Sequence, residues 1–321
     1  MEVTRLSLGG LFTSRIGGEF QQVRAAVRRA LEAGINYIDT APSYADSEEV
    51  LGRCLEGAEE PYYLSTKVGG KPEPFDARDA RGLRSSFEES LRLLKRDYVD
   101  ILYVHEPDRP GQNNWWESWD TFHGPVCDLI EEWKAKGLVR YAGLGGTTAY
   151  EMAYIIERTD YDVVLTAFQY SLLWREAEIA VIPAARRKGM GIVAGSPLQQ
   201  GWLARRYDEV VRDNPPPWLS PVRRRQFLRL YDLCDRLGMA LPELAMRFVI
   251  SNPSVDTVLT GARSAAEVDA NLAAVAAGPL PSAVLQELDD IHAMQPARPV
   301  AEPAGCQLYP GSQYRGPGRM A

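Results

Sequence analysis

Short runs of apolar, β-branched or aromatic residues alternate with segments of helical period along the whole chain. Such a run predicts a buried strand, and apolar positions that recur once per helical turn predict an amphipathic helix. Regular alternation of the two is typical of a parallel sheet built from βα units. Eight strands are predicted, at residues 5–10, 36–40, 62–67, 99–105, 139–143, 163–168, 191–195 and 257–260. Helices between them include residues 21–33, 85–95, 126–136 and 150–158.

Eight βα repeats predict a single-domain α/β protein folded as a (β/α)8 TIM barrel. A chain of 321 residues could hold two domains, but barrels of this class commonly occupy such a length as one unit. Gly34, Gly137 and Gly189 each follow a helical segment and end it before the next strand. We expect the barrel to span residues 1–295, and residues 296–321, rich in Pro, Gly and Arg, to form an irregular C-terminal arm.

The composition, 45% hydrophobic and 25% charged, is that of a globular protein. No apolar run approaches the roughly 18 residues of a membrane span, and the first residues lack the order of a secretion signal, so we expect a cytoplasmic protein.

A net charge of -7 argues against nucleic acid as a partner, and the basic runs at 186–188 and 223–225 are interpreted as solvated helix faces. Four dispersed cysteines predict free thiols and no metal site: Cys54, Cys127, Cys234 and Cys306.

Four polar residues fall at or just past the ends of predicted strands, namely Asp39, Tyr44, Lys67 and His105. A barrel or open parallel sheet gathers such positions on one rim. A phenol, with an ordinary pKa of about 10, donates a proton readily only when a cation such as Lys67 stabilises the phenolate. Asp39 would pair with that ammonium, and His105 would orient a carbonyl. Each residue has an ordinary explanation on its own, as loop aromatic, strand end, helix cap or core histidine, but the four together indicate carbonyl and alcohol redox chemistry.

From about residue 5 to about residue 291 the chain resembles the aldo-keto reductases. The family pattern Gly-x-Asn-x-x-Asp-Thr-Ala-x-x-Tyr stands at residues 34–44, and further matches follow in the family's order: Ser65-Thr66-Lys67, His105-Glu106-Pro107-Asp108, residues 137–143, Tyr170-Ser171-Leu172-Leu173, and Ser196-Pro197-Leu198 with Gly201. The resemblance implies a barrel that binds NADP(H) or NAD(H) in extended form across the strand ends. It also implies that Tyr44 is the general acid or base, tuned by Lys67 and Asp39, and that His105 orients the carbonyl.

The resemblance further implies a set of cofactor contacts in the loops after the strands. The adenosine end would lie against the segment from Gly261 to Asn271, where a helix N-terminus offers backbone N–H groups to a phosphate. Arg263 favours NADP there and Glu267 favours NAD, because a carboxylate repels a 2′-phosphate; frequency within the family puts NADP ahead. The complete set is Gly10, Asp39, Gly145, Gly146, Ser196, Leu198, Gly201, Gly261, Arg263, Glu267 and Asn271.

Three of the family's usual cofactor contacts are altered in this chain. Gly145-Gly146 replaces a common Ser-Asn pair, Ala167 replaces a Gln, and Gly195 replaces the aromatic residue that commonly stacks on the nicotinamide. The carboxamide of the nicotinamide would then be held by Thr147, Gln169 or backbone groups. Similar small residues occur in the branch of the family that resembles aldose 1-dehydrogenases.

The leading hypothesis is an NAD(P)-dependent oxidoreductase that reduces an aldehyde or ketone to an alcohol, or works in reverse, on small carbonyl, alcohol or sugar substrates. One alternative is a sugar (aldose or lactol) 1-dehydrogenase working in the oxidative direction. Another is a cofactor-binding sensor similar to channel-associated β-subunits. A barrel hydrolase using Asp39 or His105 is disfavoured, because no second catalytic carboxylate is apparent. The substrate, the direction, the coenzyme preference and the oligomeric state are left open.

Two long connections, residues 106–125 and 201–222, carry tryptophans that could form flat walls for sugar rings or aromatic substrates, or could bury themselves in the loops. The aromatic candidates are Phe12, Trp115, Trp116, Trp119, Trp202 and Trp218, with Gln112, Asn113 and Asn114 as candidate partners for hydroxyl groups. Whether the arm at 296–321 covers the site is also open.

Overall fold

The computed structural model describes residues 1–71, 73–299 and 302 of the chain. Its strands are β1 (Leu6–Gly9), β2 (Tyr37–Asp39), β3 (Tyr63–Val68), β4 (Val99–His105), β5 (Val139–Gly146), β6 (Val163–Ala167), β7 (Gly191–Gly195) and β8 (Thr257–Thr260). Neighbours in chain order pair in parallel, and β8 pairs with β1 to close the barrel. The eight predicted strands and the single-domain (β/α)8 fold are therefore confirmed.

The helices are α1 (Phe20–Glu32), α2 (Ser47–Leu55), α3 (Ala80–Leu94), α4 (Pro125–Ala135), α5 (Tyr150–Arg158), α6 (Glu176–Ile179), α7 (Val181–Arg187), α8 (Pro221–Leu237), α9 (Leu241–Ile250), α10 (Ala265–Ala276) and α11 (Ser282–Ala293). Helix α3 begins before its predicted start, because the side chain of Asp79 accepts a hydrogen bond from the Arg81 N–H and caps the helix. None of the helices in the described part of the chain is long and apolar enough to cross a membrane.

Alternate residues of each strand point into the barrel, and the others pack against the helices. The inner cluster consists of Tyr37, Ile101, Tyr103, Val163, Leu165, Val193 and Leu259. A Cβ added at Gly143 would lie 2.5 Å from two carbons of the Tyr103 ring. Gly143 therefore makes room for a tyrosine inside the barrel.

One interpretation of the basic runs is wrong. Arg223, in α8, is 0% exposed and donates hydrogen bonds to the carboxylate of Glu302, which is also buried. The run at 186–188 is exposed, as expected. A solvated face was expected for Arg223 because nothing in the sequence indicates that a distant carboxylate packs over this helix.

The thiols of Cys54, Cys127 and Cys234 are free, and Cys306 lies outside the described residues. Most of the predicted arm at 296–321 also lies outside the described residues, apart from residues 296–299 and 302. Its predicted irregular structure stays a prediction.

Candidate active site

The barrel brings the four predicted catalytic residues together at the carboxyl ends of neighbouring strands. Asp39 ends β2, Lys67 lies one residue before the end of β3, and His105 ends β4. Tyr44 follows in the turn that leads into α2. The parallel register sets Asp39 opposite Ser65 and Lys67 opposite Tyr103, so the inward-pointing side chains of the three strands converge.

Lys67 and Asp39 form a buried ion pair. The Nζ atom of Lys67 lies 2.6 Å from Oδ2 of Asp39, and it also donates to the carbonyl oxygen of Thr40 at 2.7 Å. Each side chain is only 1% exposed. Burial lowers the pKa of Lys67, while Asp39 opposes that shift. Burial likewise raises the pKa of Asp39 against the effect of Lys67, so each charge depends on its partner.

Tyr44 lies beside this pair. Lys67 Nζ is 4.8 Å from the centre of the Tyr44 ring. Burial, with the negative charges of Asp39 and Glu106, raises the pKa of Tyr44 well above its ordinary value. The effect of Lys67 expected from the sequence is offset here, because Asp39 compensates the ammonium charge at close range.

His105 is buried as a neutral imidazole. Burial and the nearby charge of Lys67 lower the pKa of His105 to about 3. Its ring meets that of Tyr44 edge to face with 5.9 Å between centroids, and its Nδ1 lies 3.4 Å from Oγ of Ser43. The backbone carbonyl of His105 accepts a hydrogen bond from Trp115 Nε1 at 2.9 Å, which fixes the end of β4. A neutral ring keeps one N–H to donate.

A second polar group lies next to these residues and was not predicted as functional. Glu106 Oε2 accepts a hydrogen bond from Thr147 Oγ1 at 2.5 Å and lies 3.2 Å from Arg109 Nε. Asp108 Oδ2 accepts from the backbone N–H groups of Thr147 at 3.0 Å and Thr148 at 2.6 Å. Burial and the charge of Asp108 raise the pKa of Glu106 to about 7. Two acidic residues within three positions after a candidate catalytic histidine were the available sequence signal.

The predicted cofactor glycines differ in the space around them. At Gly145 an added Cβ would lie 3.5 Å from Tyr103 Cβ and 3.7 Å from Lys67 Cε, which are ordinary contacts. At Gly10 it would lie 2.4 Å from the Asp39 carbonyl oxygen, and at Gly146 2.5 Å from Asp108 Oδ1. Gly10 and Gly146 therefore fit closely against the protein itself, whereas Gly145 would tolerate a Cβ in ordinary contact with its neighbours.

The loops after β5, β6 and β7 are joined by side-chain amides. Gln169 Nε2 donates to the Thr147 carbonyl oxygen at 2.7 Å, and Gln199 Nε2 donates to the Phe168 carbonyl oxygen at 2.8 Å. The predicted contacts Ser196, Leu198 and Gly201 lie in and beside the loop that carries Gln199, with Ser196 in a left-handed conformation at φ 57°.

The predicted adenosine site lies at the start of α10, away from the four catalytic candidates along the chain. Ser264 caps the helix, and Glu267 Oε2 accepts a hydrogen bond from the Arg263 N–H at 2.8 Å. The Arg263 guanidinium lies 4.6 Å from the centre of the Phe12 ring, which also packs on Gly261. Asn271 is half-buried one helical turn after Glu267.

These groups suit a nicotinamide dinucleotide. A helix N-terminus and an exposed arginine serve an anionic adenosine end. Thr147 and Gln169, which are joined by a hydrogen bond, lie just past the ends of β5 and β6. His105 pairs with Gly145 across β4 and β5, so His105 and the residues that follow β5 lie at the same end of the barrel.

Most of the tryptophans of the long loops are buried in them. Trp115 and Trp116 donate their Nε1–H groups to the carbonyl oxygens of His105 and Pro107. Trp202 is 1% exposed and packs on Trp174 and Trp218. Of the other candidates, Trp119, Trp218 and Phe12 are half-buried, Asn113 is buried with its amide donating to the His105 carbonyl oxygen, and Gln112 and Asn114 are exposed. Loop packing therefore accounts for Trp115, Trp116 and Trp202.

Comparison with known proteins extends these observations. A sequence model described as the Aldo/keto reductase family matches residues 6–293. The L-galactose dehydrogenase of Arabidopsis thaliana is 30% identical over 286 residues, covering 84% of this chain and 85% of that protein. The D-threo-aldose 1-dehydrogenase of a Pseudomonas species is 28% identical, covering 82% and 86%. An aldo-keto reductase from Bacillus halodurans, solved in its holo form, superposes with a TM-score of 0.73 at 27% identity, covering 94% of this chain and 96% of that one.

Proposed function

Because the chain belongs to the aldo-keto reductase family and is thus an NAD(P)-dependent oxidoreductase, we propose that it interconverts a carbonyl and an alcohol with Tyr44 as the general acid or base. The observation that carries this proposal is the buried Lys67–Asp39 pair at 2.6 Å, with the Lys67 ammonium 4.8 Å from the Tyr44 ring. A buried cation next to a phenol stabilises the phenolate that proton donation leaves behind, although in the resting site the charge of Asp39 offsets this effect on the pKa of Tyr44.

The protein's part in the reaction is to move a proton and to hold the substrate oxygen. When bound, the nicotinamide supplies or accepts a hydride. In the reductive direction Tyr44 donates its proton to the carbonyl oxygen, and Lys67 stabilises the phenolate. The neutral His105 imidazole donates a hydrogen bond to the same oxygen and sets its orientation. In the oxidative direction the same groups act in reverse.

We propose an aldose or lactol as the substrate and its oxidation at C1 as the working direction. Two relatives named above are, by their names, an L-galactose dehydrogenase and a D-threo-aldose 1-dehydrogenase. The small residues at Gly145, Gly146 and Gly195 agree with that branch of the family. Reduction of aldehydes or ketones by the same site is the second candidate.

For the coenzyme we propose a preference for NAD(H) over NADP(H). The Glu267 carboxylate already accepts the Arg263 N–H at the start of α10, and its charge would repel a 2′-phosphate there. The residues that would hold the adenosine end are Arg263, Glu267 and Asn271, and Thr147 and Gln169 would contact the carboxamide.

Replacement of Tyr44 tests the proposal. We expect Tyr44→Phe to lower turnover by about 10²-fold to 10⁴-fold, the range typical of a lost general acid or base. Binding of NADH, followed by fluorescence titration, should stay within about threefold of the wild type, because the phenol ring remains. The same titration with NADPH measures the coenzyme preference.

The matched control is Tyr150→Phe, since Tyr150 is an exposed tyrosine at the start of α5. It should turn over as the wild type does. Most activity remaining in Tyr44→Phe would refute the assignment. Tight NADH or NADPH binding by the wild type, without turnover on a panel of sugars, aldehydes and quinones, would instead favour a cofactor sensor.

A further inference from the structure

Glu106 and Arg109 form a charged pair in the turn that follows His105. Glu106 Oε2 lies 3.2 Å from Arg109 Nε, and the backbone N–H of Arg109 donates to the Glu106 carbonyl oxygen at 3.3 Å. Glu106 has a left-handed backbone within this turn, with φ 51°. The two side chains therefore stay together directly after the strand end that carries His105.

Thr147, just past the end of β5, holds this pair from the neighbouring strand. Its Oγ1 donates to Glu106 Oε2 at 2.5 Å and accepts from Arg109 Nε at 2.5 Å. Its N–H donates to Asp108 Oδ2 at 3.0 Å, and its carbonyl oxygen accepts from Gln169 Nε2 at 2.7 Å. Glu106 and Arg109 are thus fixed by a residue that is itself fixed, which is how side chains that recognise a ligand are held in proteins.

Part of each charged group makes no hydrogen bond to the protein. The contacts above use Glu106 Oε2 and Arg109 Nε. Within residues 1–71, 73–299 and 302, Glu106 Oε1 and the two terminal nitrogens of Arg109 have no hydrogen-bond partner, and none of these three atoms is buried. The pair therefore offers one acceptor oxygen and two donor nitrogens at the rim.

These groups lie close to the proposed reacting groups. Glu106 directly follows His105 in the chain. Its charge raises the pKa of Tyr44 and opposes the lowering of the pKa of Lys67, so it acts on both residues at short range. A ligand held by Tyr44 and His105 is therefore also next to the Glu106 carboxylate.

The pair is chemically matched to neighbouring hydroxyl groups. A carboxylate only accepts hydrogen bonds, a guanidinium only donates them, and a hydroxyl does both. Because the charges of Glu106 and Arg109 offset each other, a neutral polyol suits the pair better than a ligand with a carboxylate or phosphate of its own. An alkyl substrate would displace water from both charged groups and return no hydrogen bond, which is costly.

We propose that Glu106 and Arg109 are specificity-determining residues that bind two neighbouring hydroxyl groups of the substrate, on the carbons next to the reacting carbonyl. Oε1 of Glu106 accepts from one hydroxyl, and the terminal nitrogens of Arg109 donate to the other. Thr147 keeps the two side chains in position. The inference rests on the proposed function and deepens it, because it assigns recognition of a polyhydroxylated substrate to two named side chains.

The test compares the reduction of glyceraldehyde with that of propanal, which has the same three carbons without the two hydroxyls. Loss of NADH absorbance gives kcat/KM for each aldehyde at pH 8, where Glu106, with a pKa raised to about 7, is mostly ionised. The diol ratio is kcat/KM for glyceraldehyde divided by kcat/KM for propanal, and we expect it to be about tenfold or more in the wild type.

Glu106→Gln and Arg109→Lys should each lower the diol ratio by about fivefold to tenfold. Glutamine replaces a charged acceptor by a neutral one, and lysine keeps the charge but lacks the planar fork of donors. An effect of Glu106 on Tyr44 changes both reactions alike and cancels in the ratio. Arg109→Lys alters a side chain that is 34% exposed, so it gives a folded protein to measure even if Glu106→Gln does not.

Glu117→Gln is the matched control, because Glu117 is an exposed carboxylate in the same loop, and it should keep the wild-type diol ratio. A wild-type ratio near one would overturn the inference. So would an unchanged ratio in either folded variant, even where both rates fall, since equal losses indicate a merely structural role. Turnover of neither aldehyde nor any sugar by the wild type would instead count against the proposed function, and the inference would fall with it.

Discussion

Glu106, on the rim of the barrel, has an unusual backbone conformation for a residue other than glycine. Its φ is 51°, a left-handed conformation that residues other than glycine seldom adopt. Its N–H donates to the Gly145 carbonyl oxygen at 2.8 Å, and the residue is 3% exposed. The charged or titratable groups that act on it are Asp108, Arg109 and Lys67. Because its charge also raises the pKa of Tyr44, the protonation of Glu106 affects the proposed acid.

Glu106→Gln should reduce the pH dependence of stability. The pKa of Glu106 is raised from 4.5 to about 7, so between these values the folded protein holds a proton that the unfolded chain has released. Stability is therefore lost as pH rises through this window, and the glutamine variant lacks that loss. The measurement is the urea midpoint at pH 5 and pH 8, whose difference should be smaller in Glu106→Gln than in the wild type.

The control for this comparison is Glu117→Gln, because Glu117 lies in the same loop and is exposed. It should keep the wild-type difference between the two midpoints. If Glu106→Gln also keeps it, the carboxyl group of Glu106 does not titrate in this range in the folded protein.

The sequence predicts contacts between individual residues where strand order decides which residues are neighbours. Asp39 and Lys67 lie at or near the ends of neighbouring strands, so their contact could be expected from the spacing alone. Glu106 is buried because the backbone makes a left-handed turn at this residue. Ser65 and Tyr37 are buried because their faces of the strands point into the barrel. No residue pattern in a single chain marks the left-handed turn or the inward face, although Ser65 stands inside the Ser65-Thr66-Lys67 motif.

Strand β5 is the element that adapts the barrel to its polar interior. It continues to Gly146, three residues beyond its predicted end at 143, and pairs with β4 and β6 along that extension. Glycine is depleted in strands, so the strand propensity of Gly145 and Gly146 led to a predicted end of β5 that is too early. Within the strand, Gly143 leaves the space that the Tyr103 ring of β4 occupies, and Gly146 in the extension leaves space for the side chains of Asp108 and Met152.

Gly143→Ala should destabilise the protein. The new Cβ would lie 2.5 Å from two carbons of the Tyr103 ring and 2.9 Å from Val163 Cγ1, distances at which neighbours must shift. Overpacking of this kind costs about 1–3 kcal/mol. Thermal and urea unfolding followed by circular dichroism measure the change.

Gly191→Ala is the comparison for this variant, since a Cβ at Gly191 in β7 meets Val163 Cγ2 at 3.6 Å, an ordinary contact. The two alanines make the same chemical change in neighbouring parts of the sheet. Equal unfolding midpoints for Gly143→Ala and Gly191→Ala would mean that the Tyr103 ring moves aside at no cost.

At the scale of the whole molecule, the number and order of the strands predicted the closed barrel. The predicted end of the barrel unit at residue 295 stays a prediction. Beyond that boundary, Glu302 is attached to the barrel's helical layer. Its carboxylate accepts from Arg223 Nε at 2.8 Å, with both side chains 0% exposed, and from Gln295 Nε2 at 2.9 Å. A long-range ion pair of this kind cannot be read from a sequence, because its partners are separated by most of the C-terminal quarter of the chain.

Glu302→Ala tests whether the folded unit extends past residue 295. Loss of the carboxylate leaves the Arg223 guanidinium buried without its partner, which typically costs about 3–5 kcal/mol. Glu287→Ala removes the partner of Arg236 from a surface pair whose side chains are 27% and 58% exposed, and it should cost about 0–1 kcal/mol.

The double variant Arg223→Met with Glu302→Leu separates the charge from the packing. It removes both charges and keeps apolar volume against Trp174, so it should recover most of the stability lost in Glu302→Ala. The three melting temperatures then rank as double variant above Glu302→Ala, with Glu287→Ala near the wild type. A melting temperature for Glu302→Ala that equals that of Glu287→Ala would mean that residue 302 is not part of the folded unit in solution, and the boundary would return to the position that composition indicated.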